Sequence, residues 1–225
     1  MTFPLIISRQ QYGRRTVLRD LRQDYAAGMI HGFLGENGAG KTTLFRCMAG
    51  RLPFEGERMF PLQTAVGLLP AELYMYPMIT GREFLQFYVT ARGMACDEAR
   101  MERLNASFDL PLDVYAETYS TGMLKKLYLM GLLLQGNAGL LLDEPFNGLD
   151  FRSAAFVTAL LVEYRRQGHT VFVASHDVEH LLSYADTLSW LRRGRLTFYP
   201  DRAAFDEVRQ AIHSEAAEQV RGWCF

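Results

Sequence analysis

Residues Gly35-Glu36-Asn37-Gly38-Ala39-Gly40-Lys41-Thr42 have the spacing Gly-x-x-x-x-Gly-Lys-Thr, with an apolar run before them and helical periodicity after them. Glycines in such a loop let successive backbone N–H groups turn inward and cradle the oxygens of a phosphate chain. A helix that starts where the loop ends adds its positive dipole end, and a lysine there reaches the terminal phosphates. A hydroxyl next in sequence is a ligand for Mg²⁺. The pattern therefore predicts that residues 35–42 hold the phosphates of MgATP, with Lys41 on the terminal phosphates, Thr42 on the metal and Thr43 completing the ATP-binding set. The bland alternative is a glycine-rich turn that ends a strand, and the strand–loop–helix context counts against it.

A second group of residues could act on what the loop holds. Gly139-Leu140-Leu141-Leu142-Asp143-Glu144 reads as an apolar strand ending in two carboxylates. At the carboxyl edge of a parallel sheet those acids would stand beside the phosphate loop. Asp143 would hold Mg²⁺, and Glu144 would polarise the attacking water. Alone, the pair reads as two solvated acids; the loop about a hundred residues upstream changes that reading. A further strand at 170–174 ends in Ser175-His176-Asp177, where His176 could donate to the γ-phosphate and hold the water in line. The other histidines, His31, His169, His180 and His213, are read as structural or solvated.

The elements that must position these groups alternate. Short strands are expected at 3–8 and 16–21 around a turn at Tyr12-Gly13-Arg14, then a strand at 29–34 that stops at Gly35. A helix over 42–49 follows, with Gly50 as its cap. The middle of the chain is helical, about 75–135, entered through a Thr80/Glu83 capping box with Asp97 capping a second helix to about Phe108. The chain then returns to strands, with a helix over 151–167 ended by Gly168, a hairpin over 186–199 turning at Arg192-Arg193-Gly194, and a helical tail over 201–220. This predicts one α/β unit over 1–225: a mostly parallel sheet with flanking helices, an antiparallel β subdomain, and a helical subdomain inserted at about 75–135.

Between the two chemical groups stands Tyr119-Ser120-Thr121-Gly122-Met123-Leu124-Lys125-Lys126 at a helix start, and Gly148-Leu149-Asp150 follows the acids. The ordered set of phosphate loop, this segment, Asp143-Glu144, Asp150 and His176 resembles the ATP-binding cassette (ABC) family from about Tyr12 to Ala185. The likeness is nearest to cassettes serving ABC-2 type exporter permeases, which often carry Tyr-Ser-x-Gly-Met where others have Leu-Ser-Gly-Gly-Gln. The resemblance implies that Ser120 and Gly122 contact the γ-phosphate held by a second subunit, and that Asp150 lies at the dimer interface. It also implies that Tyr12 stacks on adenine; a partly buried turn tyrosine is the plainer reading. Two departures stand out. Ala71, followed by Glu72, occupies the position where the family usually has a glutamine that touches Mg²⁺ and senses the permease; Glu72 could substitute if the loop shifts by one residue. The stretch over 51–64 is short, which implies a trimmed β subdomain.

Composition narrows the alternatives. The 225 residues carry 24 basic against 25 acidic side chains, so no basic face for nucleic acid is expected. Cys47, Cys96 and Cys224 have no zinc spacing and suit reduced thiols. There is no signal-peptide pattern, and the longest apolar run, at 127–134, falls far short of the ~20 residues of a membrane helix. The expectation is a cytoplasmic ATPase subunit, peripheral to the membrane through a separate permease and paired with a second ATPase subunit. A soluble cassette acting on ribosomes or DNA is disfavoured by the single cassette and the absence of a coiled-coil insert. A regulatory cassette that binds ATP without hydrolysing it is disfavoured by Glu144 and His176, and favoured by Ala71. Substrate, direction of transport, and homodimer versus heterodimer are not legible.

Overall fold

The computed structural model describes residues 1–60 and 66–221. In chain order it contains β1 (Thr2–Tyr12), β2 (Arg15–Ala26), β3 (Ile30–Leu34), α1 (Lys41–Met48), β4 (Glu55–Glu57) and β5 (Val66–Leu69). Then come α2 (Gly81–Thr90), α3 (Glu98–Phe108), α4 (Thr121–Leu134), β6 (Gly139–Asp143), α5 (Phe151–Arg166) and β7 (Thr170–Ser175). The chain ends with α6 (Val178–Tyr184), β8 (Thr187–Arg192), β9 (Arg195–Tyr199) and α7 (Phe205–Val220).

Six strands form one sheet in the order β5-β6-β7-β3-β8-β9, parallel except for β9. Each parallel crossover needs a long connection, and the helices supply it. Strand side chains alternate between faces, so the middle strands are apolar on both. Leu140 and Leu142 of β6, with Val171 and Val173 of β7, join the core under α2–α6. Leu141 and Phe172, between them in sequence, face the opposite core with Phe33, Leu44 and Phe45. That second core is closed by an antiparallel sheet of order β2-β1-β4, which contributes Phe3, Leu5, Ile7 and Tyr25.

Local chemistry sets the helix boundaries. The Thr80/Glu83 box forms in both directions: Thr80 Oγ1 accepts from the Glu83 N–H at 3.2 Å, and Glu83 Oε2 accepts from the Thr80 N–H at 2.8 Å. Asp97 accepts from the Arg100 N–H at 3.0 Å and starts α3. Several expectations need correction. The first two strands are longer than 3–8 and 16–21, because alternate burial of Phe3, Leu5 and Ile7 carries β1 onward, through a bulge at Gln10/Gln11, to its pairing with β2. Asp201 caps a short 3₁₀ turn and α7 starts only at Phe205. The seven-residue α6 was not expected at all. Residues 61–64 of the short stretch, and Cys224, lie outside the described residues.

His31 is buried between the two sheets. Its ring nitrogens engage Thr187 Oγ1 and the Ala26 carbonyl, each at 2.8 Å. Burial pushes its pKa down to about 4, against smaller upward effects of the Ala26 hydrogen bond and Asp186. Between about 6.5 and 4 the unfolded chain therefore binds a proton that the folded chain refuses, so stability rises with pH across that window. The expected contribution is on the order of 3 kcal/mol, lost as pH falls from 6.5 to 4. Thermal melts over this range should show the decline in the wild type and a shallower slope in His31→Gln.

Candidate active site

Parallel order places four strand ends side by side at one edge of the sheet. The loop after β3 (Gly35–Lys41), His176 after β7, Glu144 after β6 and Ala71 after β5 follow one another along it. The register is tight: Leu34 pairs with Ser175, and Asp143 with Ala174. Ligands of open α/β sheets bind beyond such an edge.

The loop's glycines are required by backbone geometry. Gly40 has φ 108° and Gly38 φ 82°, both in the region glycine tolerates. A Cβ at Gly35 would stand 2.7 Å from the Leu191 carbonyl oxygen. Gly40 precedes α1 with no side-chain cap among the described residues, so the first-turn N–H groups remain available to an anion. Lys41 folds back over the loop, donating to the Gly35 carbonyl at 2.6 Å, and its ammonium lies 3.4 Å from Glu144 Oε1.

Glu144 is the centre of the arrangement. It is 8% exposed and lies in the left-handed region at φ 50°. Its other carboxylate oxygen meets His176 Nδ1 at 3.0 Å. Asp143, just before it, is buried, and its Oδ1 has no hydrogen-bond partner among the described residues. Desolvation raises the Asp143 pKa, with Glu144 adding to the rise; the Thr42 hydroxyl, Lys41 and Arg46 oppose it. A buried, unpartnered carboxylate oxygen beside a hydroxyl is the oxygen donor set that fits Mg²⁺, which takes one or two carboxylates together with substrate phosphates.

A cleft of about 620 Å³ opens over these groups. Of the residues singled out in the sequence, Tyr12, Glu36, Asn37, Gly38, Gly40, Lys41, Thr42, Thr43, Asp143 and Glu144 line it, as do Ala71 and Glu72. Tyr12 is 48% exposed at its rim. Gly35 and His176 line an adjoining cavity of about 350 Å³, and Ala39 packs against the second core. Ser120, Gly122 and Asp150 do not line either space. Ser120 caps α4, accepting from the Met123 N–H at 3.2 Å. Gly122 stands against the Gly148-Leu149 loop. The Asp150 carboxylate caps α5 through the Ser153 N–H at 2.8 Å, a bond that chiefly lowers its pKa.

Four residues at or beside the site went unread in the sequence. Arg15, Val17 and Asn147 line the cleft and belong to no motif recognised above. Lys125 is 3% exposed on α4 and donates to the Glu144 carbonyl oxygen. Burial lowers its pKa to about 8, opposed by Glu144 and Asp143. No local signal marks it: Lys126 stands at the same i, i+4 and i+7 spacing to Met130 and Leu133, which are buried as well.

A profile of the family described as "ABC transporter" matches residues 18–147, more than half of the chain. The chain belongs to the ABC transporter family. Within it the chain is an ATP-binding subunit, an ATPase. It is 30% identical over 182 residues to the SkfA peptide export ATP-binding protein SkfE of Bacillus subtilis, covering 75% of this chain and 76% of that protein. It is 25% identical to the linearmycin resistance ATP-binding protein LnrL of the same organism, covering 84% of this chain but 65% of that protein, so the chain spans about two thirds of that relative. Among solved structures, a dimeric ATP-binding cassette in a post-hydrolysis state bound to ADP and Pi superposes with a TM-score of 0.77 at 16% identity, over 89% of this chain and 98% of that one. Among the described residues no helix is long and apolar enough to cross a membrane.

Gly35→Ala is expected to force the loop off its β3 exit, because the new Cβ meets a backbone oxygen that cannot rotate away. The cost should be about 1–3 kcal/mol of stability, together with weakened binding of a fluorescent ATP analogue. Melting curves and binding titrations check both.

Proposed function

We propose that this chain is the ATPase subunit of an ABC-2 type exporter, with the Glu144 site as its hydrolytic centre. The observation that carries the reading is the Glu144 carboxylate held between Lys41, at 3.4 Å, and His176, at 3.0 Å, at the mouth of the phosphate-loop cleft. The loop N–H groups and Lys41 bind the phosphates, and Tyr12 at the rim is placed for the adenine. Thr42 and Asp143 would hold Mg²⁺, which when bound neutralises phosphate charge. Glu144 orients the attacking water and takes its proton. His176 holds Glu144 from the far side; a neutral ring donating from Nδ1 accepts at Nε2, so donation to phosphate from Nε2 requires the imidazolium or the other tautomer. Phosphoryl transfer leaves little covalent work to the protein, which suits a site built of fixed charges.

Two copies are proposed to close on ATP, each presenting Ser120 and Gly122 at the start of α4 to the phosphates on its partner, with Asp150 beside the seam. The exposed α4 start supports this, since a helix N-terminus is a ready anion site, and the superposed cassette is dimeric. Export is supported by the Tyr-Ser-x-Gly-Met segment and by relatives whose names speak of peptide export and of resistance. A separate permease has a natural landing place in Tyr74, Tyr76, Met78 and Phe87, all more than half exposed just beyond Ala71 and Glu72. A second reading, an ATP-binding regulatory cassette, is favoured by Ala71, which lines the cleft with a side chain that has no oxygen to offer.

Glu144→Gln with ATP and Mg²⁺ separates the two. Turnover should fall by roughly 10²–10⁴-fold, while sedimentation shows an ATP-dependent dimer. Wild-type protein with no turnover, even alongside its permease, contradicts the proposal and favours the regulatory cassette.

A further inference from the structure

We propose that Lys125 is a positioning residue for Glu144, fixing the backbone conformation that aims the carboxylate into the cleft. The inference rests on the reading of Glu144 as the hydrolytic base and adds to it a residue outside the cleft. A left-handed glutamate costs about 1–2 kcal/mol relative to ordinary backbone, so φ 50° at Glu144 must be held by its surroundings. Its N–H donates to the Ala174 carbonyl at 2.9 Å, which fixes the β6 side of the residue. On the other side its carbonyl receives the Asn147 N–H at a long 3.3 Å, and the Lys125 ammonium. The charge-assisted bond is the stronger of the two.

Lys125 is in a costly position. Its charge is removed from water on a helix whose neighbouring side chains Leu127, Leu129 and Leu132 are buried and apolar. Among the described residues the Glu144 carbonyl is the acceptor its ammonium has. Apart from that carbonyl and the field of the Glu144 and Asp143 carboxylates its charge has no compensation, and such a buried charge is often replaceable by an apolar side chain at no loss of stability when packing is all that the site requires. The lysine therefore points to a task at Glu144. Three residues further along the same face, the Tyr128 hydroxyl donates to the Tyr74 carbonyl, so one helix grips both the Glu144 backbone and the loop that follows β5. The Ala71 side chain has no oxygen with which to make such a link from within the cleft, although the neighbouring Glu72 lines it too.

The test compares Lys125→Met, Lys125→Arg and Glu144→Gln in the full chain, measuring melting temperature, affinity for a fluorescent ATP analogue, and steady-state turnover. Lys125→Met is expected to melt no lower than wild type, and to bind the analogue within about threefold. Its kcat should fall by about 10- to 100-fold, the scale of an ångström-level misplacement of a catalytic group. Lys125→Arg, which keeps a charged donor, should recover most of that loss. The proposal is overturned by a folded Lys125→Met with kcat within about twofold of wild type, or by affinity and turnover falling together without recovery in Lys125→Arg. If Lys125→Met does not fold, Lys125→Arg decides: turnover near wild type supports the proposal, and binding without turnover contradicts it. Glu144→Gln keeps the two readings apart. Retained turnover there removes the base itself, whereas a dead Glu144→Gln beside an active Lys125→Met removes only the role of Lys125.

Discussion

A carboxylate held out of water has to be compensated by charge or hydrogen bonds, and Glu144 draws its compensation from three directions. Lys41 comes from the loop after β3 and His176 from the end of β7, while Lys125 reaches the backbone from α4. None is near Glu144 in sequence except through the fold. The strand order β6-β7-β3 brings the first two within reach, and only parallel strands put all three exits at the same edge. Long crossovers follow from that requirement, and with them the helices that cover both faces.

The same requirement explains the two cores. Strands buried on both faces are apolar along their middle, and β6 and β7 are buried throughout, with polar residues only at ends such as Asp143, Thr170 and Ser175. The hairpin of β1 and β2 covers one face, and α2–α6 cover the other. Because α4 belongs to the helical layer and is capped by Ser120, the segment proposed to meet a partner's phosphates and the lysine proposed to hold Glu144 lie on one element. A displacement of that helix would be felt at both places, which is the kind of two-state element that the proposed ATP-driven closure needs.

Much of this is legible in the sequence. The phosphate loop announces itself because close backbone approach to phosphate demands glycine at fixed positions, and the strand ends at Asp143 and His176 are marked by apolar runs that stop at polar groups. The capping box at Thr80 and the cap at Asp97 were readable because they are local. What was missed is nonlocal or context-dependent. Lys125 reads as one of two adjacent lysines on a helix, and only burial tells it apart from Lys126. The lengths of β1 and β2 depend on pairing between two polar-rich segments, which residue type alone does not report. α6 is too short to show a period.

The central claim is that Lys41, Thr42, Asp143, Glu144 and His176 make one site for MgATP. A structure of the chain determined with Mg²⁺ and a non-hydrolysable ATP analogue tests it most directly. The account predicts the triphosphate on residues 35–42, with Lys41 turned from Glu144 to a phosphate oxygen and the metal between Thr42 and Asp143. Glu144 should keep its left-handed backbone beside His176. A nucleotide seated away from this loop, or a metal bound without either Thr42 or Asp143, would contradict it.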